Sequence, residues 1–112
     1  MANHAWVKEF PAVITISDAN GTIIEMNEKS IKYFEEDGGE RLIGTNVLDC
    51  HPEPARSKFE AMIKAEQDNI YTFGEDGAKM MAYQTPWYKD GKYAGFIEIL
   101  LEVPDEIPHH SK

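Results

Sequence analysis

The first clear pattern of apolar and polar positions is Ala12-Val13-Ile14-Thr15-Ile16-Ser17, which alternates toward its end as a half-buried strand does. Asp18-Ala19-Asn20-Gly21 reads as a turn, because Asn-Gly supplies the positive φ that tight turns need. Thr22-Ile23-Ile24-Glu25-Met26 then forms the second strand of a hairpin. Ahead of it, Trp6 to Phe10 is expected to make a helical turn with Trp6 and Phe10 on one side, closed by Pro11. After it, Asn27 is a good N-cap and Glu28 lies in the first turn, where the helix dipole favours an anion. Ile31 and Phe34 share a face, and this helix is expected to stop at Asp37-Gly38-Gly39. A short helical turn over Glu40-Arg41-Leu42-Ile43 ends at Gly44.

Thr45 to Pro52 has no period. Pro54 suits the first position of a longer helix, in which Phe59, Met62 and Ile63 form an apolar stripe and Arg56, Lys58, Glu60 and Lys64 face outward. Asp68-Asn69 is its expected end. Three strands follow. Ile70-Tyr71-Thr72-Phe73 leads into a turn at Gly74-Glu75-Asp76-Gly77. Ala78 to Trp87 is long and rich in Met and aromatic residues, and Pro86 near its end argues for an edge or a bulge. Lys89-Asp90-Gly91 is a turn with the favoured Asp-Gly pair. In the last strand, Tyr93 to Val103, Ile97, Ile99 and Leu101 point one way, while Glu98 and Glu102 share the other face with Phe96 and Leu100. Two hairpins flanking a helical insertion predict an α+β fold, an antiparallel sheet with helices packed on one face.

The length of 112 residues fits one domain. A chain of this length buries roughly two-thirds of its unfolded surface, enough for a core without disulfide or metal staples. The hydrophobic fraction of 42% and the charged fraction of 28% make disorder the wrong expectation. A net charge of −9 repels phosphate, which argues against nucleic acid and against anionic membrane surfaces. One cysteine, Cys50, leaves no intrachain disulfide and suits a reducing compartment. The N-terminus lacks the basic and apolar regions of a signal peptide, and no apolar run approaches the ~20 residues needed to span a bilayer. The expected location is cytoplasmic, with residues 1–10 as a leader, 11–103 as the domain and 104–112 as a flexible tail.

The order and spacing of these segments resemble a PAS domain. The opening hairpin from Ile14 to Ile24, Asn27 at the start of the first helix, Leu42-Ile43-Gly44 before the loop, and the hairpin from Trp87 to Glu98 all match the family pattern. The resemblance covers about Pro11 to Val103. It implies a five-stranded antiparallel sheet curved around several short helices and one longer one. It also implies a sensory module of bacterial-type signalling, with either a ligand held between sheet and helices or a homodimer built on the outer sheet face and N-terminal helix. A signalling partner protein is the expected recipient, although no output domain accompanies the match.

Within that frame, Ile31, Phe34, His51, Phe59, Met62, Ile63, Met80, Tyr83, Gln84 and Ile97 are the expected ligand-binding residues. Met adapts to irregular shapes, and His51, Tyr83 or Gln84 would hold a polar end. The expected ligand is a small apolar or amphipathic molecule such as a fatty acid. Trp6, Phe10, Phe96 and Leu100 are the expected dimer interface, since an exposed apolar patch invites a symmetric partner.

Other chemistry is weakly supported. The flavin photosensors among PAS domains carry Gly-x-Asn-Cys, and here Gly44-Thr45-Asn46-Val47 puts Val47 in place of the nucleophile. Haem would need an axial ligand, and His51 lies off the stripe of the main helix, where a loop hydrogen bond is the simpler role. Cys50 and His51 are adjacent and point apart, with no further ligand at metal spacing, and His109-His110 fall in the tail. Asp49, Cys50 and His51 offer a nucleophile and a base in sequence only. Cys50 reads as a small buried hydrophobe. No catalysis is expected.

Overall fold

The computed structural model describes residues 5–112, so residues 1–4 of the expected leader lie outside the described residues. A single helical turn, α1 (Ala5–Lys8), buries Val7, while Trp6 and Phe10 stay exposed against each other in a T-shaped pair. The opening hairpin is β1 (Val13–Asp18) and β2 (Ile23–Met26). The Asp18 carboxylate accepts from the backbone N–H groups of Asn20 and Thr22, which closes its turn.

Asn27 caps α2 (Glu28–Tyr33) as its chemistry requires, and it does more than cap. Its Oδ1 accepts from the Ser30 N–H and from the Ile14 N–H, each at 3.0 Å. Its Nδ2 donates to the Ala12 carbonyl at 2.8 Å and to that of Phe10 at 3.4 Å. One buried amide thereby joins α2, β1 and the segment leading out of α1.

Three 3₁₀ turns follow, Glu35–Asp37, Gly39–Leu42 and Val47–Cys50. α2 is therefore shorter than its sequence pattern predicted. Asn46 caps the third turn and donates to the Asn20 carbonyl, which pins this irregular stretch to the hairpin. The longer helix, α3 (Ala55–Ala65), starts one residue after Pro54 and stops at Glu66, earlier than Asp68-Asn69. Glu66 adopts the left-handed conformation at φ 53°, with its N–H bonded back to Ile63.

The remaining strands are β3 (Asn69–Glu75), β4 (Ala78–Lys89) and β5 (Lys92–Val103). All five strands form one antiparallel sheet in the order β2-β1-β5-β4-β3. The α+β expectation holds. Pro86 belongs to β4 even though β4 is an inner strand. β3 reaches only as far as the Asn69–Gln84 pair, so at Pro86 the strand has lost that neighbour and its missing N–H breaks no bond.

The pairing of β4 with β5 slips once. Tyr88 opposes Tyr93, but Trp87 opposes Gly95, which leaves Ala94 as the extra residue of a bulge. Beyond it, Phe96, Glu98 and Leu100 line up with Pro86, Gln84 and Ala82, and across β1 with Ser17, Thr15 and Val13. This is the inner face. Val13, Ala82 and Leu100 form its core, with Phe34, Phe73 and Met80 packed against them. The outer face carries Ile14, Ile16, Ile97, Ile99 and Leu101 with Met81, Tyr83 and Ile70.

The expected dimer residues Phe96 and Leu100 are thus corrected. Both are buried on the inner face. Glu98 shares that face because its carboxylate is hydrogen-bonded there, so a glutamate in the alternation did not mark the solvent side. After Val103, Pro104–Lys112 is exposed and forms neither helix nor strand.

Gly95 has φ 150°, and a Cβ there would collide with the Ser17 carbonyl oxygen and the Asp18 backbone. Strain in this region and overpacking each cost about 1–3 kcal/mol, so Gly95→Ala should lower unfolding free energy by about 2–6 kcal/mol in a urea titration. Gly91 also has positive φ but nothing within 4 Å, so Gly91→Ala should cost only about 1 kcal/mol. Equal losses would mean that the contact with β1 is not what fixes the bulge.

Candidate functional site

The inner face of the sheet and the helical segments above it flank a partly open cavity of about 500 Å³. The sheet contributes Thr15 and Ser17 from β1, Ile23 and Met26 from β2, and Tyr71 and Phe73 from β3. Gln84 comes from β4, and Phe96, Ile97, Glu98 and Leu100 from β5. The other wall is Tyr33 and Phe34 at the end of α2, Asp37, Leu42, Val47, Cys50 and His51 from the 3₁₀ turns and their flanks, and Phe59 from α3.

A polar row crosses this mostly apolar chamber. Thr15, Glu98, Gln84 and Asn69 occupy directly opposed positions on four adjacent strands. Glu98 Oε2 accepts from Gln84 Nε2 at 2.7 Å, and Gln84 Oε1 accepts from Asn69 Nδ2 at 3.0 Å. The carboxylate fixes the direction of the chain. An ionised Glu98 can only accept, so Gln84 must turn its NH₂ toward it and keep its oxygen for Asn69. Gln84 is 6% exposed, and its amide is satisfied at both ends. At the β1 end the Thr15 hydroxyl lies 2.6 Å from that of the fully buried Ser30 on α2.

The aromatic side chains respond to this polarity. Burial first, then the hydrogen bond donated to Glu75 at 2.8 Å, then the charges of Glu75 and Glu98, push the Tyr33 phenol up to about 12. Burial and the Glu98 charge push Tyr71 up as well. Both hydroxyls therefore stay neutral donors through the physiological range.

Of the ligand-binding residues expected from sequence, Phe34, His51, Phe59 and Gln84 border the cavity, and Ile97 borders it too although its position in β5 belongs to the outer row. Ile31, Met62, Ile63, Met80 and Tyr83 do not. Met80 fills the core beside Phe34 and Phe73. Tyr83 is exposed on the outer face, since the period of two turns it away once Gln84 points inward. Ile31 is half-buried near Gly39, and Met62 and Ile63 are half-buried on α3, whose stripe reaches the cavity only through Phe59. Among the lining residues that sequence reasoning missed, Thr15, Ser17, Tyr71, Phe73 and Glu98 face inward by strand alternation from Gln84, and Tyr33 and Asp37 come from the helical side.

His51 takes the loop role expected of it, with Nδ1 2.8 Å from the Val47 carbonyl and its ring 5.0 Å from that of Phe59. Asp49 pairs with Arg56 at 3.4 Å. Asp49 and His51 are thus each engaged elsewhere than with Cys50. Cys50 is exposed, which corrects its reading as a buried hydrophobe, and its neighbours in the short 3₁₀ turn leave it at the cavity rim. Among the described residues no group of three or more His, Cys, Asp or Glu is placed to hold a metal ion, and no helix is long and apolar enough to cross a membrane.

No protein-family model matches the sequence, and no curated protein does. Solved structures match well. The PAS domain of BvgS from Bordetella pertussis superposes with a TM-score of 0.65 at 15% identity, over 90% of this chain and 83% of that one. The photoactive yellow protein domain of the sensor histidine kinase Ppr from Rhodospirillum centenum gives 0.62 at 17% identity, over 89% and 93%. The Aer2 receptor from Vibrio cholerae, a dual PAS-heme oxygen sensor, gives 0.59 at 14% identity, over 83% and 95%.

A raised folded-state pKa means that the folded protein holds the Tyr33 proton more tightly than the unfolded chain does. Its stabilisation is complete below the ordinary tyrosine value of 10 and is lost as pH climbs from 10 toward 12. Tyr33→Phe should therefore flatten the fall of stability across that window, measured by denaturant titration at stepped pH. An unchanged slope would place the alkaline loss on other tyrosines.

Proposed function

We propose, for a chain whose fold is that of a PAS domain, a sensory role. The domain takes a small apolar or amphipathic ligand between sheet and helices and passes its occupancy to a signalling partner in the cytoplasm. The observation that carries this reading is the cavity of about 500 Å³, which combines apolar walls with a few convergent polar groups. A filled core would leave no such space. The likeness to sensor proteins supports the sensory part, because the domain of the sensor histidine kinase Ppr and the oxygen sensor Aer2 share this architecture.

Native mass spectrometry on the protein purified without additives tests the reading. The expected result is extra mass that leaves on denaturation, and its value separates lipid, flavin and haem. Val47→Trp places an indole in the cavity and should remove that mass while preserving the far-ultraviolet spectrum. A bare wild type, together with a Val47→Trp variant of higher Tm, would show a dry void and end the proposal.

A second reading, a dimerisation module, rests on the outer face. Ile70, Tyr83 and Leu101 are exposed there, at 51%, 38% and 37%, and Trp6 of α1 is exposed at 68%. Isolated apolar residues are ordinary on a surface, but a row shared by adjacent strands invites a second copy. With Phe96 and Leu100 inside, the residues to change are these outward ones. The wild type should sediment as a dimer and Leu101→Glu as a monomer. A wild type that stays monomeric at high concentration rules the module out.

A further inference from the structure

We infer that the cavity takes an organic cation: a protonated amine whose ammonium donates to Glu98 and whose apolar body lies among the aromatic side chains. The inference rests on the reading of the cavity as a ligand site and adds the sign of the ligand's charge.

Glu98 is built as an acceptor. Gln84, nine-tenths buried, holds Oε2, and Gln84 is itself held by Asn69. Oε1 has no hydrogen-bond partner among the described residues, and it belongs to a side chain that borders the cavity. A second carboxylate, Asp37, stands on the opposite wall. Among the described residues no Lys or Arg borders the cavity. His51 is the one lining side chain there that can carry positive charge, and its Nδ1 is engaged by the Val47 carbonyl.

A fatty-acid carboxylate entering this space would meet two carboxylates and no lysine or arginine. An ammonium meets the reverse. Tyr33, Phe34, Phe59, Tyr71, Phe73 and Phe96 line it with aromatic rings, whose negative quadrupoles attract a cation that reaches their faces. The negative field from Glu98 is already felt by Tyr33 and Tyr71, whose phenols it helps keep protonated. The net charge of −9 draws cations toward the surface at long range.

The test uses three probes with one apolar body: phenethylamine, phenethyl alcohol and hydrocinnamate. They are titrated into the full chain by calorimetry at neutral pH and moderate salt. Replacing a neutral hydrogen bond by a charge-assisted one roughly doubles its strength, so the amine should bind on the order of tenfold more tightly than the alcohol, with the acid weakest. Glu98→Gln, which keeps the size and a partner for Gln84, should erase the preference for the amine over the alcohol. The wild-type series decides the sign of charge even if that variant fails to fold. Binding of the alcohol or acid as tight as the amine overturns the cation inference and leaves the cavity reading standing. Binding of none of the three, with no retained mass in the native spectrum, overturns both.

Discussion

One extra residue decides which face of this sheet meets the helices. Ala94 bulges out of β5 between the Tyr88–Tyr93 and Trp87–Gly95 pairs. Counted straight from the tight Asp90-Gly91 turn, without a bulge, Gln84 would oppose Ile97. The slip sets it against Glu98 instead, and a slip of one residue exchanges the two faces of a strand. Phe96, Glu98 and Leu100 go inward as a result, and the isoleucines go out. The bulge is held by close approach as much as by pairing, because Gly95 leaves room for the Ser17 carbonyl that any side chain would fill. A bulge also bends its strand and increases the local right-handed twist.

The same register makes the polar row. Thr15, Glu98, Gln84 and Asn69 are not neighbours in sequence, and only antiparallel pairing across four strands brings them into line. A carboxylate on the inner face would be costly alone. Here it is half-buried, bonded on one side and open to the cavity on the other. The apolar walls and this row together give the chamber a direction, with packing at the Val13–Ala82–Leu100 end and hydrogen bonding along the row.

Much of the fold was legible because local chemistry forces it. The Asn-Gly and Asp-Gly turns and Asn27 as a cap each act through a few adjacent atoms. The order of strands and helices followed, and with it the likeness to the PAS fold. The faces of β5 were not legible. Both of its rows are rich in large apolar residues, so hydrophobicity does not separate inside from outside, and Glu98 looked like a solvent marker. Its partner Gln84 lies on another strand, and the bulge that aligns them has no strong local signature beyond Gly95. Only some of the expected ligand-binding residues border the cavity, for the same reason. On the helical side Phe34, His51 and Phe59 border the cavity, whereas Ile31, Met62 and Ile63, chosen by the same helical spacing, do not. Tyr83 was misplaced on the sheet, where one residue of register matters. Met80 is on the expected face but fills the core, a distinction that depends on packing and not on pattern.

Asn27 also has a mechanical consequence. Its amide grips the carbonyls of Phe10 and Ala12 with one end and the N–H groups of Ile14 and Ser30 with the other. Ser30 in turn touches Thr15 on the cavity wall. The chain just after α1 is therefore tied to the chamber by a few short bonds with no slack between them. Such a linkage behaves as a strut and not as a hinge: a pull at residues 10–12 cannot be absorbed by a loop and must load α2 and the edge of the cavity together.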